Sequence, residues 1–342
     1  MPTHSSSVPT ASSASSTPAP SARRPEPPLS LVATRLGLRV LAPAAPPLAA
    51  WWAERMFLRA SRHPRPAWEV EAMRGASRFE VGFGDGALPV WSFAPSAASG
   101  RHDGSGPRAP VGTVLLVHGW AGRGSQLGAF VRPLVDAGYR VVTYDGPGHG
   151  DAAQERTSIV ELSLAVTAMA TALGPLAGII AHSVGGAATT LAAARSNLST
   201  GRFVFVAPPT DPRAFAAAFF RHLGLGEDVA SRVRDRLEQR YGLRMDELEA
   251  PRHARSQTAP LLVLHDEGDR EVPLSAGAAL TDAWPSARLV VTEGLGHRRI
   301  LRDPGVVHAV VGFVRGHAPR VSRITATPLP EPSSVHVFRD VH

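Results

Sequence analysis

The chain has no cysteine and no lysine. Without cysteine, disulfides, thiolate metal sites and cysteine nucleophiles are excluded. All 36 basic side chains other than histidine are therefore arginine, and the formal net charge is +7. These arginines are scattered along the chain and are not gathered into a basic patch interleaved with aromatic residues. We therefore expect an ordinary solvated surface and no nucleic-acid partner.

Large apolar side chains are almost missing from residues 1–30, which are mostly Ser, Thr, Ala and Pro. Such a segment cannot bury enough surface to offset the entropy lost on ordering, so we predict that it is disordered. It has no positive stretch followed at once by an apolar run and does not read as a signal peptide. We expect a cytoplasmic protein. Residues 319–342 are predicted to be a polar C-terminal extension.

Residues 29–58 are more apolar, yet they contain no clean run of about 18 apolar residues. Two arginines and three prolines interrupt them: Arg35, Arg39, Pro43, Pro46 and Pro47. We predict an N-terminal helical extension over residues 31–75 that packs on the main domain. A second interpretation is weak, peripheral contact of residues 31–58 with a membrane surface, with Trp51 and Trp52 at the interface.

The main domain is predicted over residues 76–318. Two alternating runs flank Gly84-Asp85-Gly86, which indicates a β-hairpin. Short apolar runs then alternate with segments of helical periodicity; the predicted strands are 111–117, 139–144, 176–180, 203–206, 261–264 and 289–291. This alternation predicts an α/β fold with a mostly parallel central sheet flanked by helices. Ligands bind such sheets beyond the carboxyl ends of the strands.

Ser183 lies where a predicted strand turns into a predicted helix. The two arms of such a turn approach closely, so the residues two before and two after must be small; here they are Ala181 and Gly185. The turn strains the backbone and projects the hydroxyl. The N–H of Val184, at the helix start, can then face a developing oxyanion. Ser183 is the candidate nucleophile, and a plain helix N-cap is the alternative.

A serine hydroxyl is a poor nucleophile at neutral pH and needs a base that is held in the right tautomer. His297 follows the last predicted strand in a glycine-containing loop and is the candidate base. The loop after the preceding strand offers three acids to orient it: Asp266, Glu267 and Asp269. The residues alone leave the choice among these acids open.

His118-Gly119-Trp120 follows the first strand of the predicted parallel sheet. This loop, the serine turn, the acidic loop and the histidine loop, in this order along the chain, resemble the α/β-hydrolase superfamily, in particular its serine-aminopeptidase-like and general esterase branch. The resemblance covers about residues 79–314. One departure is Ala181, which stands where the usual G-x-S-x-G pattern has glycine.

The resemblance implies further roles. Asp269 begins an Asp-x-x-Val-Pro stretch that is similar to the superfamily's acid loop, which favours it as the triad acid, with Asp266 as the fallback. Trp120 is implied as the second backbone donor of an oxyanion hole, supported by His118 and Gly119. His182 is expected to be a packing or hydrogen-bonding residue. A small helical cap is implied over about residues 208–258, and Phe215, Phe219 and Phe220 are candidates to line the pocket from it.

The expected activity is cleavage of a carboxylic ester, or a related acyl bond, of a small molecule through an acyl-enzyme on Ser183, without metal or cofactor. A peptidase, a thioesterase, a carbon–carbon hydrolase and a cofactor-free perhydrolase use the same triad and stay open. A dehalogenase or epoxide hydrolase would carry Asp in place of Ser183. The alternative of another class is a non-catalytic membrane-surface or binding protein with a hydrolase-like core. The oligomeric state is open.

Overall fold

The computed structural model of the chain describes residues 29–95, 109–196, 198–319 and 321–326. Nearly all of the segment predicted to be disordered, most of the polar loop after the hairpin and most of the predicted C-terminal extension lie outside these residues. The described part contains one nine-stranded sheet with helices on both faces.

The strands form a sheet in the order β1-β2-β4-β3-β5-β6-β7-β8-β9. Their bounds are β1 Ser77–Phe83, β2 Gly86–Phe93, β3 Thr113–Val117, β4 Arg140–Tyr144, β5 Leu176–His182, β6 Phe203–Val206, β7 Leu261–Asp266, β8 Ala287–Glu293 and β9 Arg323–Thr325. The strands β1 and β2 form the predicted hairpin, and β2 also pairs antiparallel with β4. All other neighbouring pairs are parallel.

Twelve α-helices are assigned within the described residues. They are α1 Leu29–Ala44, α2 Pro46–Phe57, α3 Ala67–Ala72, α4 Val131–Asp136, α5 Ile159–Leu173, α6 Val184–Arg195, α7 Pro212–Leu223, α8 Glu227–Tyr241, α9 Ala250–Ala254, α10 Leu274–Ala283, α11 Gly296–Arg299 and α12 Pro304–Val314. Asp303 caps α12, because its side chain accepts from the N–H of Val306.

Two apolar cores cover the two faces of the sheet. Successive side chains of a strand point to opposite faces, and in β3 the side chains of Val114 and Leu116 join one core while those of Leu115 and Val117 join the other. Helices α4 and α12 cover the first face, and α5, α6, α9 and α10 cover the second. Burial on both faces explains why these strands read as apolar runs.

A third core lies away from the sheet, between the N-terminal helices and the cap. Buried residues of α1 and α2, among them Leu38 and Ala53, pack against α7 and α8 through Phe220 and Val233. The N-terminal segment thus packs on the main domain through the cap helices. Within the described part of the chain, no helix combines the length and apolar character that a membrane crossing needs.

Three details differ from the sequence expectations. Helix α1 begins at Leu29, inside the segment predicted to be disordered. Residues predicted to belong to a C-terminal extension instead add β9 to the edge of the sheet beside β8. The segment after the His118 loop, one of those with helical periodicity, begins as a 3-10 helix, Gly124–Phe130. The hydroxyl of its Ser125 donates to Glu69 of α3, at 2.5 Å.

Candidate active site

Ser183 joins β5 to α6 in a left-handed backbone conformation, with φ of 52° and ψ of −130°. Among the described non-glycine residues, only two others have positive φ, Ala121 and Ala207. Ser183 and Ala207 directly follow the carboxyl ends of parallel strands, and Ala121 lies in the loop after another. Such strain persists only where the surrounding structure enforces it, and it clusters at functional sites. The N–H of Ser183 donates to the carbonyl of Val206, at 2.9 Å, which holds the turn.

The space around the turn shows why its neighbours are small. A Cβ atom on Gly185 would lie 2.5 Å from the carbonyl oxygen of His118, and one on Gly119 would lie 2.9 Å from the Cβ of Ser183. Ala181 is fully buried within β5. Its methyl group is accommodated there, so the departure from the usual glycine leaves the turn intact.

His297 and Asp269 form a direct pair. His297 Nδ1 lies 2.7 Å from Asp269 Oδ2, and Asp269 Oδ1 accepts from the N–H groups of Glu271 and Val272 at 2.8 and 2.9 Å. Burial opposes ionisation of Asp269, but these three hydrogen bonds outweigh it and leave its pKa below the ordinary value. An ionised Asp269 fixes the His297 proton on Nδ1, which leaves Nε2 of the neutral ring as the proton acceptor.

Asp266, the fallback acid, is used differently. Its Oδ2 accepts from the hydroxyl of Thr292 and the N–H of Leu295, both at 2.8 Å, and its Oδ1 accepts from the N–H of Gly268 at 3.0 Å. These bonds tie the end of β7 to the loop that carries His297. Asp266 therefore fixes the position of the histidine loop, and the structure places Asp269 against the histidine itself.

The loop after β3 is held by a buried histidine. The N–H of Gly146 donates to His118 Nε2 at 2.8 Å, so the proton of His118 is on Nδ1, which donates to the carbonyl of Gly119 at 2.8 Å. The N–H of Gly122 donates to the same carbonyl at 3.1 Å. Since a trans peptide sets its N–H opposite its carbonyl, these two bonds aim the N–H of Trp120 away from the loop's interior.

Burial keeps His118 in this neutral form, because it lowers its pKa to about 4. Burial likewise lowers the pKa of His182 to about 3. The Nε2 of His182 lies 3.0 Å from the carbonyl oxygen of His297 and must donate to it. His182 thereby holds the backbone of the candidate base.

A cavity of about 550 Å³ opens in front of these groups. Ser183, His297, Trp120 and Val184 all line it. Its other walls are mostly apolar and come from the cap and the N-terminal segment: Phe57, Pro66, Trp68, Phe215, Leu237, Tyr241, Met245 and Leu248. Of the three phenylalanines expected from the cap, Phe215 lines the cavity, whereas Phe219 and Phe220 pack against Phe57 behind it.

The sequence gives no motif for the N-terminal wall. Residues 58–66, which we call the strap, lie across the domain, and two of their arginines bind it there. Arg62 donates to the carbonyls of Ala152 and Gln154, and Arg65 pairs with Asp145 at 3.2 Å and Asp151 at 2.9 Å. These partners lie about 80 or 90 residues away along the chain. The Pro-rich composition of the strap indicates extended backbone but not where it lies.

The strap leads into α3, whose Glu69 is a buried charge in the cavity wall. It pairs with Arg123 at 3.3 Å and accepts from Ser125. Within the described ranges, no group of three or more His, Asp and Glu side chains is arranged to hold a metal ion.

Comparisons with known proteins agree with this architecture. A biotin biosynthesis bifunctional protein of Teredinibacter turnerae is 24% identical to this chain over an alignment of 275 positions, which covers 65% of this chain and 48% of that protein. The chain thus spans about half the length of this curated relative. The structure is similar to an esterase of Pyrococcus furiosus, with a TM-score of 0.56 at 17% identity over 75% of this chain and 98% of that one.

A thioesterase domain from the curacin biosynthetic pathway superposes with a TM-score of 0.50 at 16% identity, over 71% of this chain and 99% of that one. At such identities these likenesses show the fold. The sequence profile of the alpha/beta hydrolase family matches residues 114–310, more than half of the chain. The chain therefore belongs to the alpha/beta hydrolase family.

Proposed function

We propose that the protein cleaves carboxylic esters through a covalent acyl-enzyme on Ser183. The observation that carries this proposal is the 2.7 Å contact of Asp269 with His297, which lines the same cavity as Ser183. An oriented base beside a strained, projecting serine is the arrangement that activates a hydroxyl for attack on an acyl carbon.

In the first half-reaction, Ser183 Oγ bonds to the acyl carbon while His297 Nε2 takes the hydroxyl proton. Asp269 stabilises the imidazolium that forms. The substrate oxygen becomes an oxyanion, and the N–H groups of Trp120 and Val184 donate to it. Collapse of this intermediate breaks the bond to the alcohol oxygen, which leaves with the proton from His297.

In the second half-reaction, a water molecule attacks the ester on Ser183. His297 takes one proton from the water and returns it to Ser183 Oγ as that oxygen leaves. The products are a carboxylic acid and the free enzyme. No step needs a redox or metal partner.

The character of the cavity favours an apolar acyl group. Its volume of about 550 Å³ falls in the range of small-molecule sites, and aromatic and aliphatic side chains supply most of its wall. A panel of ester, thioester and amide substrates with one acyl group distinguishes the esterase, thioesterase and peptidase activities that share this triad. A β-diketone substrate tests the carbon–carbon hydrolase, and added hydrogen peroxide tests the perhydrolase.

The test is hydrolysis of short p-nitrophenyl esters by the wild-type protein and two serine variants. Ser183→Ala is expected to abolish turnover, because it removes the nucleophile. Ser196→Ala is the matched control: this serine lies at the far end of α6, where its hydroxyl donates to the carbonyl of Ala192. Wild-type protein that resists a fluorophosphonate, while keeping its fold, would overturn the assignment and favour the non-catalytic alternative.

A further inference from the structure

The two N-terminal helices expose an unusual amount of apolar surface. Of the eleven large apolar side chains that are exposed in the described part of the chain, six lie between residues 29 and 51. We call these six the outer face: Leu29, Val32, Leu36, Val40, Leu48 and Trp51. Their exposed fractions run from 43% for Trp51 to 87% for Leu29. Single exposed apolar residues are ordinary, but a cluster on one short segment marks an interaction surface.

The spacing within α1 places its four members on one side. At about 100° per residue, Leu29, Val32, Leu36 and Val40 fall within an arc of about 80°. Leu38, which is buried against the cap, lies on the opposite side. Helix α1 is therefore apolar on two faces, one packed on the protein and one open. The open face is not needed for packing within the described residues.

The segment that carries the outer face is basic. Residues 29–59 contain four arginines and one acid, Glu54. Glu54 is buried and held by Arg236 and Arg240 of α8. Helix α7, which α1 contacts, has two arginines and no acidic residue. An apolar strip bordered by cations is complementary to a surface that is negative outside and apolar within.

Trp51 and Arg55 add a second indication. The guanidinium of Arg55 lies over the ring of Trp51, 5.0 Å from its centre, and both side chains are exposed. Tryptophan and arginine are suited to the boundary between lipid headgroups and acyl chains, since each combines an apolar body with a polar or charged tip.

We propose that the outer face docks the protein on an anionic lipid surface. Leu29, Val32, Leu36 and Val40 enter the acyl-chain boundary, and the arginines contact the headgroups. The same helices end at Phe57, which lines the cavity, so docking brings the cavity close to the lipid. The docking itself does not depend on the chemistry proposed for Ser183.

The test uses the full chain and flotation with phosphatidylcholine vesicles, with and without phosphatidylglycerol. Wild-type protein is expected to float only with the anionic vesicles, and less of it as salt is raised. The double variant Leu36→Asp/Val40→Asp should reduce the bound fraction at least about tenfold, since it removes two apolar side chains that enter the acyl-chain boundary in the docked state. The charge variant Arg39→Glu/Arg55→Glu should lose the preference for anionic vesicles.

The matched control is Leu164→Asp on α5, where a leucine is 54% exposed outside the outer face. It should float like the wild type. Thermal unfolding of each variant shows that the fold is kept. Failure of the wild type to float, or equal loss in the control, overturns the proposal. A dimer in light scattering that Leu36→Asp/Val40→Asp breaks, with no vesicle binding, would assign the face to a second copy of the chain instead.

Discussion

The backbone of Ser183 is held in its left-handed conformation from two sides. Its N–H donates to Val206 of β6, and its carbonyl accepts from Gly186 of α6 at 2.8 Å. Positive φ in a non-glycine residue costs of the order of 1–3 kcal/mol. The strand and helix on either side offset this conformational cost. The backbone therefore holds the Ser183 hydroxyl in one position.

Single residues differ in how far the sequence could predict their roles. The small size of Ala181 and Gly185 is a local requirement, and it located the serine turn. The contacts of His118 with Gly146 and of His182 with His297 join residues 28 and 115 positions apart. No local pattern specifies such contacts. The choice between Asp266 and Asp269 depends on which carboxylate meets His297, and the structure supplies that geometry.

At the residue scale, Asp269→Asn tests the orienting acid. The amide cannot stabilise an imidazolium or hold the histidine in the required tautomer, so we expect kcat to fall by about 10³–10⁴-fold with little change in KM. The measurement is steady-state hydrolysis of a p-nitrophenyl ester.

Asp266→Asn is the companion variant. It weakens the bonds from Thr292 and Leu295 inside the protein, which should lower the melting temperature together with the rate. An Asp269→Asn enzyme that turns over like the wild type would remove Asp269 from the mechanism. Asp266 would then be the remaining candidate.

At the scale of elements, the regular parts of the fold follow from the sequence. The predicted bounds of β6, 203–206, are those observed, because turn residues flank its short apolar run on both sides. The partner of an amphipathic helix is not encoded in its periodicity. The sequence therefore predicted helices in the N-terminal segment, but not their packing on α7 and α8 or the strap that closes the cavity.

Helix α2 and the cap meet through aromatic rings that limit the depth of the cavity. The ring of Phe57 lies 5.2 Å from that of Phe219 and 5.8 Å from that of Phe215, between centres. Phe215 in turn lies 5.9 Å from Trp120, whose backbone is the proposed oxyanion donor. In the proposed reaction, side chains of three separate elements would thus bound the acyl group on Ser183.

Phe57→Val tests this boundary. The smaller side chain lengthens the cavity, so the ratio of kcat/KM for the octanoate over the butyrate p-nitrophenyl ester should rise about tenfold. Leu48→Val, on the same helix and half exposed, is the control and should leave the ratio unchanged. A ratio that stays constant in Phe57→Val, in protein that remains folded, would show that the acyl group lies elsewhere in the cavity.

For the whole molecule, buried neutral histidines link stability to pH. Burial lowers the pKa of His118 to about 4 and those of His149 and His182 to about 3, whereas an unfolded histidine titrates near pH ~6.5. Between about pH 6.5 and 4, the unfolded chain therefore binds protons that the folded chain does not. The free energy of unfolding must fall as the pH falls through this window.

We expect each of these histidines to contribute up to about 1.4 kcal/mol per pH unit within that window. Asp145 and Glu161, whose pKa values burial raises, act in the opposite direction at its acid end. Urea unfolding at several pH values measures the slope, and His149→Leu should reduce it by one histidine's share. A stability that does not change between about pH 6.5 and 5 would contradict the buried, neutral state of these side chains.

The third core, between the N-terminal helices and the cap, contains no residue of the sheet. Its two halves can move apart without unpairing any strand, so it can open as a cooperative unit of its own. In amide hydrogen exchange, α1, α2, α7 and α8 would then share one opening free energy that is lower than that of β5 or β7. Phe57 and Leu237 belong to this cluster and also line the cavity, so its opening would widen the cavity independently of the stability of the sheet beneath it.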